Sequence, residues 1–292
     1  MRPAGFHLDY WMPDPRLRDY VSGYHLYATA PPTGDRHHDV FFPAWANIRL
    51  LVQPCDWTVR IGSQQFTVPE AALFGPTSHA GYSASGRGMV AGAGLTPLGW
   101  YRLMRAPAYA FADRVSELAE LLGSAAADLQ AKLATAGGEG VNEIFDAFFL
   151  ARLGRARPGE ARVVRVHHDL MKPLPGGVAA VAERLGISHR TLHRLALEAF
   201  GFGPKLLVRR ARFLRSLMAV AQANGERWAD RIEGSYYDHS HFNRDAQEFL
   251  GMAPGDFLRL PKPINEASAR LRTKILGAPA QALLQPRLTG AR

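Results

Sequence analysis

Two segments of this chain are versions of one another. Thr191–Leu207 reads TLHRLALEAFGFGPKLL and His241–Phe257 reads HFNRDAQEFLGMAPGDF, and they align at a fixed offset of 50 residues. Arg194, Ala196, Glu198, Gly201 and Pro204 recur as Arg244, Ala246, Glu248, Gly251 and Pro254. Leu192, Phe202 and Leu207 are matched in character by Phe242, Met252 and Phe257. Such a repeat constrains the fold more tightly than composition does. Each copy must build the same local structure, and the chain between them must hold the two at one separation.

The first copy is preceded by VAAVAERLG, a helical pattern whose small residues Ala179, Ala180 and Ala182 allow another helix to cross closely. Gly186 can take the left-handed conformation that ends a helix. Ile187 then turns inward, and Ser188 is a strong N-cap for the next helix. Leu192 and Leu195 face a core, which leaves His189, Arg190, His193 and Arg194 on the exposed side. Two short helices joined by a tight glycine turn form a helix-turn-helix, whose second helix offers its N-terminal side chains to a DNA major groove. Arginine suits guanine edges and asparagine suits adenine, while a helix N-terminus favours phosphate.

The second copy repeats this design. DRIEGSYYD supplies a helix end and a turn, Asp238 is the expected N-cap, and Phe242 and Phe249 point inward. His239, Ser240, Asn243 and Arg244 point outward. A helix is expected between the copies from about Pro204 to Asn224, with the proline in its first turn. Some twenty residues span ~30 Å, and successive major-groove faces lie ~34 Å apart. One chain can therefore read two adjacent groove segments. Arg209, Arg210, Arg212 and Arg215 on this rod, with Ser188 at the first head, are the expected phosphate contacts.

Charge agrees with that reading. Residues 1–150 hold 11 Lys+Arg against 14 Asp+Glu, whereas residues 151–292 hold 24 against 12. A strongly basic half points to a polyanionic partner. No apolar run reaches the ~20 residues of a membrane span, and the N-terminus lacks a signal-peptide core. Cys55 is the only cysteine, so no intrachain disulfide forms and a reducing cytoplasm is expected.

Residues 1 to about 104 read as β-rich. DVFFPAWANIRLLVQ and WTVRIGSQQFTV carry β-branched and aromatic residues, the latter around a Gly62-Ser63 turn, and GMVAGAGLTPLGW adds a further strand. This pattern suggests a sandwich or small barrel. The period then becomes helical: Val115, Leu118, Leu121 and Leu122 share one face, and Val141, Ile144, Phe145, Phe148 and Phe149 share another. These stripes suit packing within the chain or a partner subunit. GRARPGEAR, residues 154–162, reads as a linker. The expected organisation is a sensor or dimerisation domain over 1–155, a helical DNA-binding domain over 156–262 and a mobile, aperiodic tail over 263–292. The fold class is α+β with two domains: an N-terminal β-barrel with helices and an all-α C-terminal part with two helix-turn-helix units.

YYDHSHFNRDAQEFLGMAPGDFLR and LGISHRTLHRLALEAFGFGP resemble the signature segments of the AraC/XylS family of bacterial transcription regulators. The resemblance covers about 160–260. It implies base contacts at Arg190, His193 and Arg194 and at His239, Ser240 and Arg244. The family's aromatic five residues before each glycine is here Ala196 and Ala246, with Phe200 and Phe249 available to fill the space, and Gly234 stands one place early. AGAGLTPLGWYRLMRAPAYAFADRV is similar to a segment of sensor domains with a degenerate cupin-like barrel, which implies a small-molecule effector. Promoter DNA, RNA polymerase and a second copy of the chain are the implied partners, with nucleoid association when bound.

Six residues are candidates for an effector pocket: Phe41, Trp45, Arg49, Trp57, His79 and Tyr82. Core is the expected role for most of these aromatics. His37, His38 and His79 lack the spaced partners of a metal site. Neither a nucleophile elbow nor a phosphate loop is present, so no enzymatic role, cofactor or metal is expected. The alternative is a DNA-targeted enzyme or repair protein using Cys55 or a metal in the N-terminal domain.

Overall fold

The computed structural model describes residues 5–173, 176–221, 236 and 239–286. The N-terminal part is built from strands β1 (Phe6–Trp11), β2 (Val21–Thr29), β3 (His37–Phe41), β4 (Asn47–Gln53), β5 (Trp57–Ile61), β6 (Gln64–Thr67), β7 (Ala71–Phe74), β8 (Gly81–Ser85), β9 (Gly88–Leu95) and β10 (Val115–Glu117). They form two antiparallel sheets, ordered β1-β2-β9-β4-β7-β10 and β3-β8-β5-β6. β5 and β6 pair Ile61 with Gln64 across the Gly62-Ser63 turn. Gly62 there takes φ +57°, a value that costs a glycine little at the first turn position of such a hairpin.

The larger sheet is buried on both faces, and its strands are correspondingly apolar. Tyr24, Ile48, Leu50, Ala91 and Ala93 pack outward against helices α1 (Ser124–Ala136) and α2 (Val141–Leu153), which contribute Leu129, Leu133, Phe145 and Phe149. Phe145 and Phe149 stack on Tyr24 at 5.0 and 6.3 Å. Packing within the chain therefore occupies the centre of the α2 stripe. The opposite face, with Tyr27, Leu51, Phe74 and Val90, meets Trp57, Val59 and Ile61 of the smaller sheet.

The structure corrects one helical expectation. Val115–Glu117 is not helical but forms β10, pairing Val115 with Phe74. The exposed edge of β7 offers backbone partners, and this long-range pairing overrides the local period. Only Ala119–Leu122 makes a helical turn.

The C-terminal part comprises α3 (Glu160–Leu170), α4 (Gly177–Arg184), α5 (His189–Phe200), α6 (Pro204–Ala221), α7 (His239–Leu250) and α8 (Pro254–Arg259). None of the described helices is long and apolar enough to cross a membrane. Residues 263–286 do not form an aperiodic tail, and 287–292 lie outside the described residues. The former make α9 (Pro263–Leu276), whose Ile264 enters the core of the β part, and a short turn at Gln281–Leu283, whose Gln281 bonds Ser22 and Asn47. Asp39 of β3 accepts from the backbone N–H of Ile264 at 2.7 Å and of Asn265 at 3.3 Å. The cap of α9 thus comes from a strand more than two hundred residues away, which is why no local cap marks the helix.

One core joins the two parts. Trp45, in the loop between β3 and β4, is buried edge-on against His167 and Phe200 at 5.5 and 5.6 Å. Arg210 lies over its ring at 4.2 Å. Val40, Ala80 and Leu98 join the same apolar cluster as Leu192, Phe213 and Phe242.

His167 carries a pH consequence. Burial first, and the nearby Arg210 charge second, lower its pKa to about 3, whereas in the unfolded chain it lies near 6.5. Between these values the unfolded chain binds a proton that the folded one does not, so acidification favours unfolding. Above the unfolded value His167 contributes nothing to the pH dependence. His25, lowered to about 3 by burial and by Arg49 and Arg272, behaves alike. Each should contribute a slope of up to about 1.4 kcal/mol per pH unit below about pH 6. His167→Gln should remove one such contribution, read as a shallower fall in urea stability between about pH 7 and pH 5. An unchanged slope would mean that the folded protein already protonates this ring.

Candidate nucleic-acid interface

The first head is built from local chemistry. After α4, Gly186 adopts φ +60° and turns the chain. The Ser188 hydroxyl accepts from the N–H of Thr191 at 3.1 Å and so caps α5. α5 then buries Leu192, Leu195, Ala196, Ala199 and Phe200. His189, Arg190, His193 and Arg194 are all exposed. Arg194 donates to Glu198 one turn on at 3.2 Å. Both groups are accessible, so a duplex can replace this pairing at little cost.

The second head repeats the plan. α7 buries Phe242, Ala246 and Phe249 and exposes Ser240, Asn243 and Arg244. Gly234, Asp238 and the side chain of His239 lie outside the described residues, as does the end of the connecting helix at Asn224. The shared residues do the same work in each copy. Gly201 and Gly251 end their helices at φ +85° and +75°, and Pro204 and Pro254 open the next helices. Phe200 and Phe249, about one helical turn after the buried Ala196 and Ala246, are themselves fully buried in the core. The 18 residues of α6 give the rod a length of ~27 Å.

The arginines of that rod are all engaged within the chain, and Arg210 alone is buried. Arg210 is only 1 % exposed and donates to the Thr77 carbonyl at 2.7 Å. It is therefore withdrawn from the expected phosphate contacts, since an arginine at a domain junction cannot reach a duplex. Burial pushes its pKa down to about 9, so it remains cationic at neutral pH. Arg209 donates to Asp245 at 2.6 Å and to both oxygens of Glu248. Arg212 donates to Asp245 at 3.2 Å and lies over the Tyr236 ring, while Arg215 donates to the Met171 carbonyl at 2.7 Å. Ser188 is exposed at its cap.

Asp245 is the residue the sequence reading passed over. It is buried and accepts from Arg209, Arg212 and the Tyr236 hydroxyl. The repeat itself contained the clue, because Asp245 replaces the core residue Leu195 of the first copy.

The six pocket candidates fall into separate places: Arg49 lies over the Phe41 and Trp57 rings at 4.1 and 5.6 Å, and the others do not join them in one site. Phe41, Trp45 and Arg49 border a small cleft beside β4. Trp45, however, belongs to the inter-part core, and Trp57 is buried with its Nε1 donating to Ser83 at 2.8 Å. His79 and Tyr82 instead line a groove against α7. There the Tyr82 hydroxyl donates to the Leu250 carbonyl, and the N–H of Ala80 donates to that of Phe249 at 2.7 Å. Asp113 bonds Ser78 and holds the pKa of His79 above its ordinary value. His37 and His38 lie on β3. Among the described residues no group of three or more His, Cys, Asp or Glu side chains could hold a metal. Burial, with Asp56 beside it, raises the Cys55 thiol pKa, which disfavours the nucleophilic thiolate.

Comparison with known proteins gives a match to a helix-turn-helix domain family over residues 181–260. No curated protein matches the chain. Among solved structures it is similar to ToxT from Vibrio cholerae, at 11% identity and TM-score 0.41, covering 87% of this chain and 98% of that one. A fatty-acid-bound ToxT is similar at 12% identity and TM-score 0.39, covering 88% and 97%. The AraC-like transcriptional activator CuxR is similar at 17% identity and TM-score 0.26, covering 77% and 90%.

Replacing Asp245 tests how the second head is fixed. Asp245→Ala leaves Arg212 and the Tyr236 hydroxyl without their shared carboxylate. The loss should be about 3–5 kcal/mol of stability, read by urea unfolding. A loss under about 1 kcal/mol would mean that the apolar contacts of α7 hold it unaided.

Proposed function

We propose, from the premise that residues 181–260 are an AraC-type helix-turn-helix domain, that α5 and α7 enter successive major grooves of one duplex. The protein is a DNA-binding transcription regulator. The observation that carries the two-headed reading is the pair of exposed arrays at the starts of α5 and α7, joined through α6 over one core. His189, Arg190, His193 and Arg194 would read one segment, and His239, Ser240, Asn243 and Arg244 the other. Ser188 would meet phosphate at the first head. Arg209, Arg212 and Arg215 would contribute through the electric field and by holding the heads in place, and less through direct contact.

In this reading the β part is a cupin-like sensor for a small-molecule effector. An effector changes DNA affinity only if it binds two arrangements of the chain unequally. The protein works in the bacterial cytoplasm as a homodimer that meets RNA polymerase at promoters. It catalyses no reaction.

Selection of duplexes from a random pool by the full chain should enrich two segments centred about one helical turn apart. Salt-sensitive binding without enrichment would reduce the protein to a nonspecific binder. Arg194→Ala or Arg244→Ala should each cost about 1–3 kcal/mol of binding and relax preference at one base position. A uniform loss over all sequences, with a shallower salt dependence, would reassign that arginine to phosphate.

A further inference from the structure

The inner face of the larger sheet carries polar groups that satisfy nothing within the chain. Alternation along β4 sends Ile48 and Leu50 toward α1 and α2, and Arg49 toward the smaller sheet. Arg49 is 8 % exposed, and its Nε and Nη1 have no hydrogen-bond partner. The Phe41 and Phe74 rings lie 4.1 and 4.4 Å from its guanidinium carbon, so the donors at its edge are what remains for a ligand. The Tyr27 hydroxyl, which sits beside Arg49 without a well-formed hydrogen bond, and the Asn265 amide nitrogen are likewise unsatisfied, each on a buried residue. A buried donor left without an acceptor is expensive.

All three groups line one cavity of about 70 Å³ between β2, β4 and α9, and none of its described lining residues is acidic. Arg272 of α9 adds a second cation, with its Nε donating to the Pro279 carbonyl at 3.0 Å. The carboxylate charge that acts on Arg49 is that of Asp39. Its oxygens are already engaged by the N–H groups of Val40, Ile264 and Asn265. Glycines in its wall let neighbouring side chains close in: a Cβ at Gly23 would lie 2.1 Å from the Tyr10 hydroxyl, and one at Gly94 2.4 Å from Ser22 Oγ. Two cations and several orphaned donors with no anion among them call for an acceptor of negative charge. A water needs about 10–15 Å³, so the cavity accommodates an acid of only a few heavy atoms.

We infer that this cavity binds a compact organic carboxylate, with Arg49 and Arg272 as its counter-ions and Asn265 and Tyr27 as hydrogen-bond donors. As the effector site of a regulator this rests on the functional reading above; as a binding site it does not.

The test uses the full chain without DNA, at constant ionic strength, so its outcome is independent of duplex recognition. Sodium propionate is titrated by calorimetry and by thermal unfolding, beside the uncharged propionamide and inorganic phosphate. Propionate should bind saturably and raise Tm, and propionamide should do neither. Arg49→Gln, Arg272→Gln and Asn265→Ala should each weaken propionate binding, the arginine variants by about tenfold or more. Arg49→Met should match or exceed the wild-type Tm in the absence of anion, because it removes an unpaired buried charge. The inference is overturned if propionate shows no saturable effect, if propionamide acts equally, if phosphate alone binds, or if the Arg272 and Asn265 variants retain full affinity. A marked fall in Tm for Arg49→Met would also count against it, by making the guanidinium part of the packing.

Discussion

The arrangement of this molecule depends on Trp45. A loop between two strands places an indole in the helical part, where His167, Phe200 and Arg210 enclose it. Two independently packed parts joined by a short linker would move against one another. Here the apolar cluster runs without a break from Val40 and Ala80 to Phe213 and Phe242. Arg210 is the polar member of that junction. Its bond to the Thr77 carbonyl and its place over the indole return part of the cost of burying a cation. The first head is fixed at the same place, since a Cβ on Gly201 would lie 2.6 Å from Pro76.

The two heads, alike in design, are attached by different chemistry. α5 is held by apolar packing around Leu195. α7 carries Asp245 at the equivalent position and is held by charge-assisted bonds to Arg209 and Arg212. Packing energies are non-directional, whereas a carboxylate receiving three donors fixes orientation. The second head is therefore the more geometrically defined at its root, and its α7–α8 segment meets the β part at Ala80 and Tyr82.

The legible part of this fold was the local part. Gly186, Ser188, Gly201 and Pro204 act within a few residues of themselves, and each does what its chemistry predicts. The exposed faces of α5 and α7 followed from the period of their apolar residues. Arg209, Arg210, Arg212 and Arg215 were not legible as a set. At about 100° per residue they are spread around the whole helix, and only the second core reveals that Arg210 faces it. β10 and α9 escaped for a related reason. Val115 takes its partner from β7, and α9 takes its cap from Asp39. The orphaned donors of Arg49, Tyr27 and Asn265 were equally hidden, because a missing partner is visible only when every neighbour is in place.

α9 connects the cavity to the second head along the chain. Leu260 to Lys262 is the whole link between α8 and α9, and Lys262 donates to the carbonyls of Phe257, Leu258 and Leu260. That link is short, and the Lys262 bonds tie the start of α9 to the end of α8. α9 is tied to the β part by Asp39, by Ile264 in the inter-sheet core and by Gln281 following it, whose amide reaches Ser22 and Asn47. Gly94 makes the Gln281 contact possible, because a Cβ there would lie 2.5 Å from its Nε2. An anion placed between Arg49 and Arg272 would remove the repulsion between two cations that now face one cavity, one on a strand and one on this helix. It would thereby favour the arrangement in which α9 is seated. That preference is the differential affinity that any coupling to DNA requires, and its shortest route to the duplex runs through Lys262, α8 and the end of α7.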